Sequence, residues 1–192
     1  MKATTNFTIF AAVTMMLGFA MTSEAQVQSS SDHIAGNATV VAQVAVSGTQ
    51  PLEFGNVNPG VVKTISTAGG VVAGTAGGGP ETEGKFHVVK GPNTQLTLTW
   101  TLPAVLTKSI GGAATMPITF ADYATSKCGS VDVSGSLVPF TPGPALPISS
   151  ANFNAAFVAT SFDVHLGGTV QPITAQTAGA YTANITLVAT YN

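Results

Sequence analysis

The sequence predicts an all-β protein, an antiparallel β-sandwich, and three observations carry that prediction. Apolar and polar residues alternate in segment after segment, the period of a strand with one face on a core and one in water. Gly, Pro and Asn punctuate these segments at short intervals. No segment keeps a helical period over the length that a stable helix needs. The intervals between strands vary, which favours a sandwich over an evenly spaced up-and-down barrel.

The elements follow in order. Lys2 precedes an apolar run from Phe7 to Met21, and Ser23-Glu24-Ala25 puts small residues where a signal peptidase reads. Residues 1–25 therefore read as a secretory signal cleaved after Ala25. That places the mature chain in the periplasm, at the cell surface or outside a bacterium. No later apolar run approaches the roughly 20 residues of a spanning helix, so no transmembrane segment is expected after cleavage. Residues 26–36 are polar and unpatterned, a flexible leader. Residues 37–192 are expected to form one sandwich.

Ala38, Val40, Ala42, Val44 and Val46 share one face of a strand expected over Thr39–Val46, ended by Ser47–Pro51. Leu52 and Phe54 precede the turn signals Gly55-Asn56 and Asn58-Pro59-Gly60. Strands are expected at Val61–Thr67, weakly at Val71-Val72, and at Lys85–Val89. The clearest strand is Gln95–Leu102: Leu96, Leu98, Trp100 and Leu102 alternate with Gln95, Thr97, Thr99 and Thr101 until Pro103 stops it. Met116, Ile118 and Phe120 mark another. Asp122–Ile148 is proline-rich and irregular, and Asn152–Phe157 can form one helical turn. Thr160, Phe162 and Val164 alternate, as do Tyr181, Ala183, Ile185, Leu187, Ala189 and Tyr191.

Composition removes several function classes. All six basic residues are lysines and the net charge is −2, so the chain lacks the basic footprint of a nucleic-acid binder. Cys128 is the one cysteine and reads as a free thiol. Gly79–Lys85 has the spacing of a phosphate loop, but Phe86 stands where a magnesium-binding hydroxyl belongs and no helix follows. Glu81 and Glu83 share a face in the manner of a glycosidase pair, yet they read as a solvated hairpin tip. Asp163 and His165 share a strand face without the third ligand that a metal needs. No nucleophile elbow occurs. Catalytic, cofactor and metal residues are therefore expected to be none. Trp100, alternating with leucines, reads as core and not as a sugar-binding platform.

The C-terminal segment carries the functional signal. Gly179 stands fourteenth from the end, the alternating strand follows, and Tyr191 is penultimate. A strand with one long apolar face needs neighbours to cover it. Gly179, Tyr181, Ile185, Leu187 and Tyr191 together resemble the C-terminal motif of chaperone-usher pilus subunits. A wider resemblance adds Leu52-x-Phe54-Gly55-Asn56-Val57-x-Pro59-Gly60, Phe86-x-Val88 with Gly91, Leu166–Thr169 and Gln176–Tyr181. This set is similar to the DUF 4402 family of exported bacterial domains, itself similar to spore-coat and archaic-pilus subunits. The chain departs from that pattern over Asp122–Ile148.

The resemblance implies an immunoglobulin-like, pilin-like sandwich. It also implies a fimbria-like subunit assembled by strand complementation. Its partners would be identical subunits, a periplasmic chaperone and an outer-membrane usher. The strand Tyr181–Tyr191 is expected beside Thr39–Val46, either its own or that of a neighbouring subunit; in the second case the donor presents Val40, Val44 and Val46, with Ser47–Pro51 as linker. The competing reading is a monomeric binding module, for instance for glycans.

Overall fold

The computed structural model describes residues 43–75, 77–121, 127–143 and 145–192. The expected signal, leader and residue Val40 lie outside the described residues. The chain is all-β. Its first half forms β1 (Ala45–Gln50), β2 (Glu53–Phe54), β3 (Lys63–Ile65), β4 (Val71–Ala73), β5 (Glu81–Thr82), β6 (Gly84–Val89), β7 (Leu96–Thr101) and β8 (Val105–Lys108). The second half forms β9 (Thr115–Thr119), β10 (Gly129–Val133), β11 (Ser136–Phe140), β12 (Leu146–Ile148), β13 (Ser161–Leu166), β14 (Gly168–Val170), β15 (Tyr181–Thr182) and β16 (Thr186–Tyr191). Among the described residues, one short helix, α1 (Asn154–Val158), falls where a helical turn is expected.

One layer is the five-stranded sheet β1-β6-β13-β10-β11. The other consists of β12-β7-β16 and β15-β8-β9-β14-β3-β4. The two parts of the second layer continue each other along the chain: β7 pairs with β16, and their extensions β8 and β15 pair again. Every pairing among these strands is antiparallel. β13 and β14 are one run broken at Gly167, where the chain passes from one layer to the other. A Cβ on Gly167 would lie 2.4 Å from the Ile65 carbonyl oxygen, so only glycine fits that corner.

The core lies between the layers. Leu96, Leu98 and Trp100 of β7 point into it, as the alternation predicts, beside Val88, Phe162, Val164 and Leu187. Trp100 is 7% exposed and packs edge-on to Phe86, with ring centroids 5.8 Å apart. Lys90, at the end of β6, is buried. Its ammonium donates to the carbonyls of Phe157 (2.6 Å), Ala159 (2.9 Å) and Gly91 (3.0 Å), pinning the α1 segment, and burial lowers its pKa.

Three expectations are corrected. The first strand among the described residues occupies Ala45–Gln50, so Ser47–Gln50 is strand and not linker. A bulge between Gly48 and Gln50 absorbs the irregularity of this segment. This strand pairs with β6, and β16 pairs with β7, so the first and last strands are not hydrogen-bonded neighbours. The alternation over Tyr181–Tyr191 is not one strand. Between the pairs Thr182↔Thr107 and Thr186↔Thr101, the β7–β8 run carries two extra residues at Leu102-Pro103, and proline has no N–H to continue a ladder. Within the proline-rich middle, β10 and β11 form a regular hairpin. Its two-residue turn, Ser134-Gly135, has φ +58° and +84°, the geometry that matches strand twist.

Candidate functional site

β1 and β16 are the edge strands of their sheets, one in each layer. At one end they converge. The Tyr191 hydroxyl accepts from the Gly91 N–H (2.9 Å) and donates to the Gln43 carbonyl (3.4 Å). Towards the other end no ladder joins them, and Gly48–Leu52 and Ala183–Ile185 line a cleft of about 440 Å³ over Phe86 and Leu166. That cleft shares Pro51, Leu52, Ala183 and Ile185 with a larger one of about 860 Å³. Together they form a groove. Its first flank is Pro51–Val57 with Gly79-Pro80, and its second is Gln176–Ile185.

The floor is hydrocarbon: Leu106, Met116, Ile118 and Val170. The last three belong to the buried core, so the groove is a place where the core is open to its edge. The break at Ala183–Ile185 that Pro103 helps to cause is also what leaves the second flank without a continuous strand.

Each flank is tied by a polar knot. On the second, the Gln176 side-chain amide donates to the Tyr181 hydroxyl (2.7 Å) and the Thr115 carbonyl (3.1 Å), and Tyr181 donates to the Thr177 carbonyl (2.6 Å). Gly179 sits on this flank at φ +145°, a conformation that a side chain rarely adopts, against the Lys108 stem. On the first flank, the buried Lys63 ammonium donates to Glu81 Oε1 (2.5 Å) and the Asn56 carbonyl (2.9 Å). Glu81 Oε1 also accepts the Gly77 N–H (3.0 Å). The hydrogen bond from Lys63, followed by that from Gly77, holds the Glu81 carboxyl below the ordinary carboxylate value.

The structure thus places Gly179, Tyr181 and Ile185 along the groove, Leu187 in the core and Tyr191 at its closed end. Val44 and Val46 pack partly buried against the core of their own chain. Glu81 and Glu83 do not sit on a solvated tip. Glu81 is engaged by Lys63, and Glu83 lies 3.7 Å from Lys85 and 3.5 Å from His165.

Residues distant in sequence meet on the outer face of the five-stranded sheet. His87 Nδ1 lies 2.6 Å from Asp163, because β6 and β13 pair in that register. His165, which sequence placed at a solvated strand end, is buried on the central strand β13, with Asp132 3.9 Å from Nε2. Among the described residues, no group of three His, Cys, Asp or Glu could hold a metal ion. Cys128 is buried, and its thiol donates to the Ala121 carbonyl. No helix among the described residues is long and apolar enough to cross a membrane.

No protein-family model matches the chain, and no curated protein matches it. Among solved structures, a chain of a chaperone–tip adhesin complex of CFA/I fimbriae is similar at 16% identity and a TM-score of 0.40. The match covers 78% of this chain and 42% of that one, so the chain spans less than half the length of this neighbour.

Proposed function

We propose that the protein is an exported, non-catalytic building block of a bacterial surface fibre, and that its groove receives a strand from a neighbouring subunit. The observation that carries this reading is the open core between two sheet edges that have no ladder partner on that side among the described residues. Two edges offer backbone donors and acceptors, and the apolar floor offers places for alternate side chains. Those are the two requirements of strand addition. An uncovered apolar floor beside free edges is an association hazard unless something fills it.

The donor is the alternating segment upstream of β1. Val40 belongs to it, while Val44 marks the point where the chain joins its own sandwich. Residues 26–36 contain only Val27 and Ile34 as large apolar side chains, too few to fill the groove themselves. Before assembly the same groove needs a protective partner, the role of a periplasmic chaperone, and an outer-membrane usher would order the additions. The residues shared with the DUF 4402 pattern support this reading: Phe54, Gly55, Asn56, Val57 and Pro59 line the first flank, and Gln176–Tyr181 the second.

The test uses the mature chain, Gln26–Asn192, at rising concentration. Electron microscopy and light scattering should show linear polymers, and an excess of a peptide spanning Ser31–Val44 should suppress them. A chain that stays monomeric at high concentration and ignores the peptide would contradict the fibre reading and leave the monomeric binding module standing.

A further inference from the structure

We propose that the Lys63–Glu81 ion pair is a latch that positions the first flank of the groove, so that strand capture can be lost while the sandwich stays folded. The proposal rests on the strand-receiving reading of the groove for its function, but its mechanics stand on separate observations.

Lys63 belongs to β3, where it faces Val170 across the ladder to β14, next to the groove floor. It is 1% exposed. Its ammonium therefore reaches from the body of the second layer into the flank and grips both segments of it: Asn56 through the carbonyl, and Glu81 through the carboxylate. Glu81 passes the tie on to the Gly77 N–H. The two segments also hold each other, through Asn56 Nδ2 to the Gly77 carbonyl (3.0 Å) and the Asn56 N–H to the Gly78 carbonyl (3.0 Å).

Phe54 anchors the start of this flank in the core and Thr82 Oγ1 donates to the Pro51 carbonyl (3.0 Å), but the ladder and backbone beyond them are weak. The ladder between β2 and β5 is two residue pairs long, Glu53↔Thr82 and Phe54↔Glu81, too short to be stable unaided. Gly55, Gly77, Gly78 and Gly79 give the segments more backbone freedom to lose than any other residues would. The close approach is nevertheless built in. A Cβ on Gly77 would lie 2.3 Å from the Asn56 carbonyl oxygen, so a side chain there would push the two segments apart.

A buried ammonium that loses its carboxylate is left uncompensated. With Glu81 truncated, Lys63 keeps only the Asn56 carbonyl, and the 77–81 segment loses its anchor to β3. With Lys63 made apolar, both segments lose their anchor while the partly exposed Glu81 turns to water. The strands that carry the rest of the sandwich make no use of this pair, so the loosening stays local.

The experiment is hydrogen–deuterium exchange on the full chain and on Glu81→Ala, Lys63→Met and Glu81→Gln, with binding of the labelled Ser31–Val44 peptide measured in parallel. In Glu81→Ala and Lys63→Met, exchange at Asn56 and Gly77 should rise by about tenfold or more, while Leu187 and Val88 keep their protection. Peptide affinity should fall by about tenfold. Glu81→Gln keeps an oxygen for Lys63 and Gly77 but removes the charge, and should fall between the wild type and Glu81→Ala in both. Unchanged exchange, or exchange raised evenly through β7 and β16 in both disruptive variants, would overturn the latch. Wild-type binding with equal binding by the variants would overturn the latch alone. Absence of wild-type binding would overturn the groove reading, and with it the latch's part in strand capture.

Discussion

The two ends of the β1–β16 boundary deal with the same problem in opposite ways. At the Tyr191 end, two edge strands from different layers are closed over the core by one phenol, which bridges Gly91 and Gln43, while Tyr191 itself pairs with the buried Leu96. At the Ile185 end the edges stay apart and the core shows through. The closed end is built from long ladders and hydrocarbon. The open end is built from glycine-rich segments, a broken strand and two polar knots. Stability and binding are therefore assigned to different parts of one sandwich, and substitutions should separate them.

The largest effect belongs to the buried core that both ends share. Trp100→Ala removes the indole between Phe86 and Phe140 and should cost about 3–5 kcal/mol of unfolding free energy, read by denaturant titration. A stable mutant that had instead lost a ligand would favour the binding-module reading. Tyr191→Phe keeps the ring and deletes the hydroxyl, so it should cost about 1 kcal/mol and speed exchange at Gly91. No loss would show that the bridge does not close that end.

Open-end changes should do the reverse. Ile185→Thr should alter global stability by less than about 1 kcal/mol, because the residue is only partly buried, while weakening peptide capture. A large loss of stability with capture intact would erase the distinction between the ends. The latch adds a pH signature. Glu81 has its folded-state pKa lowered from 4.5 by the hydrogen bonds from Lys63 and Gly77. Its contribution is complete above the unfolded value and is lost as the pH falls through the folded one. Local protection at Gly77 should therefore fall in acid before Leu187 loses its own. Simultaneous loss at both residues would deny the flank an independent response.

The smallest effect is expected at Cys128, away from both ends of the boundary. The thiol is buried and the sequence has no second cysteine, so the chain should run as a monomer on denaturing, non-reducing electrophoresis, and Cys128→Ser should change the melting temperature little. A disulfide-linked dimer would contradict this.

What the sequence made legible follows from how local each cause is. β7 could be read directly because strict alternation places Leu96, Leu98 and Trp100 on one face without help from any partner. In the middle, short strands and loops were legible but the regular β10–β11 pairing was not, although Ser134-Gly135 between Val131-x-Val133 and Leu137-Val138 carried a signal, because Pro139 and its neighbours obscured the alternation. The split of the last strand has its cause in Pro103, about eighty residues upstream, and so left no mark on the alternation itself. The Lys63–Glu81 pair left a faint trace: a single lysine among Val61, Val62, Thr64 and Ile65, in a chain with few charges. The groove left none of its own, since an unfilled edge is a property of two sheets and not of any segment. Its second flank was nevertheless marked through the C-terminal motif of Gly179, Tyr181 and Ile185.

The central claim, that the groove takes a strand from another copy, is tested most directly by proximity. A photo-crosslinking residue at position 185 of the mature chain, in an equal mixture of ¹⁴N- and ¹⁵N-labelled protein, should join residues 37–44 after illumination. Peptide mass spectrometry should find mixed-isotope pairs among the products. Crosslinks confined to single-isotope pairs would show that each chain fills its own groove, and crosslinks to any other segment would remove the donor strand from the account.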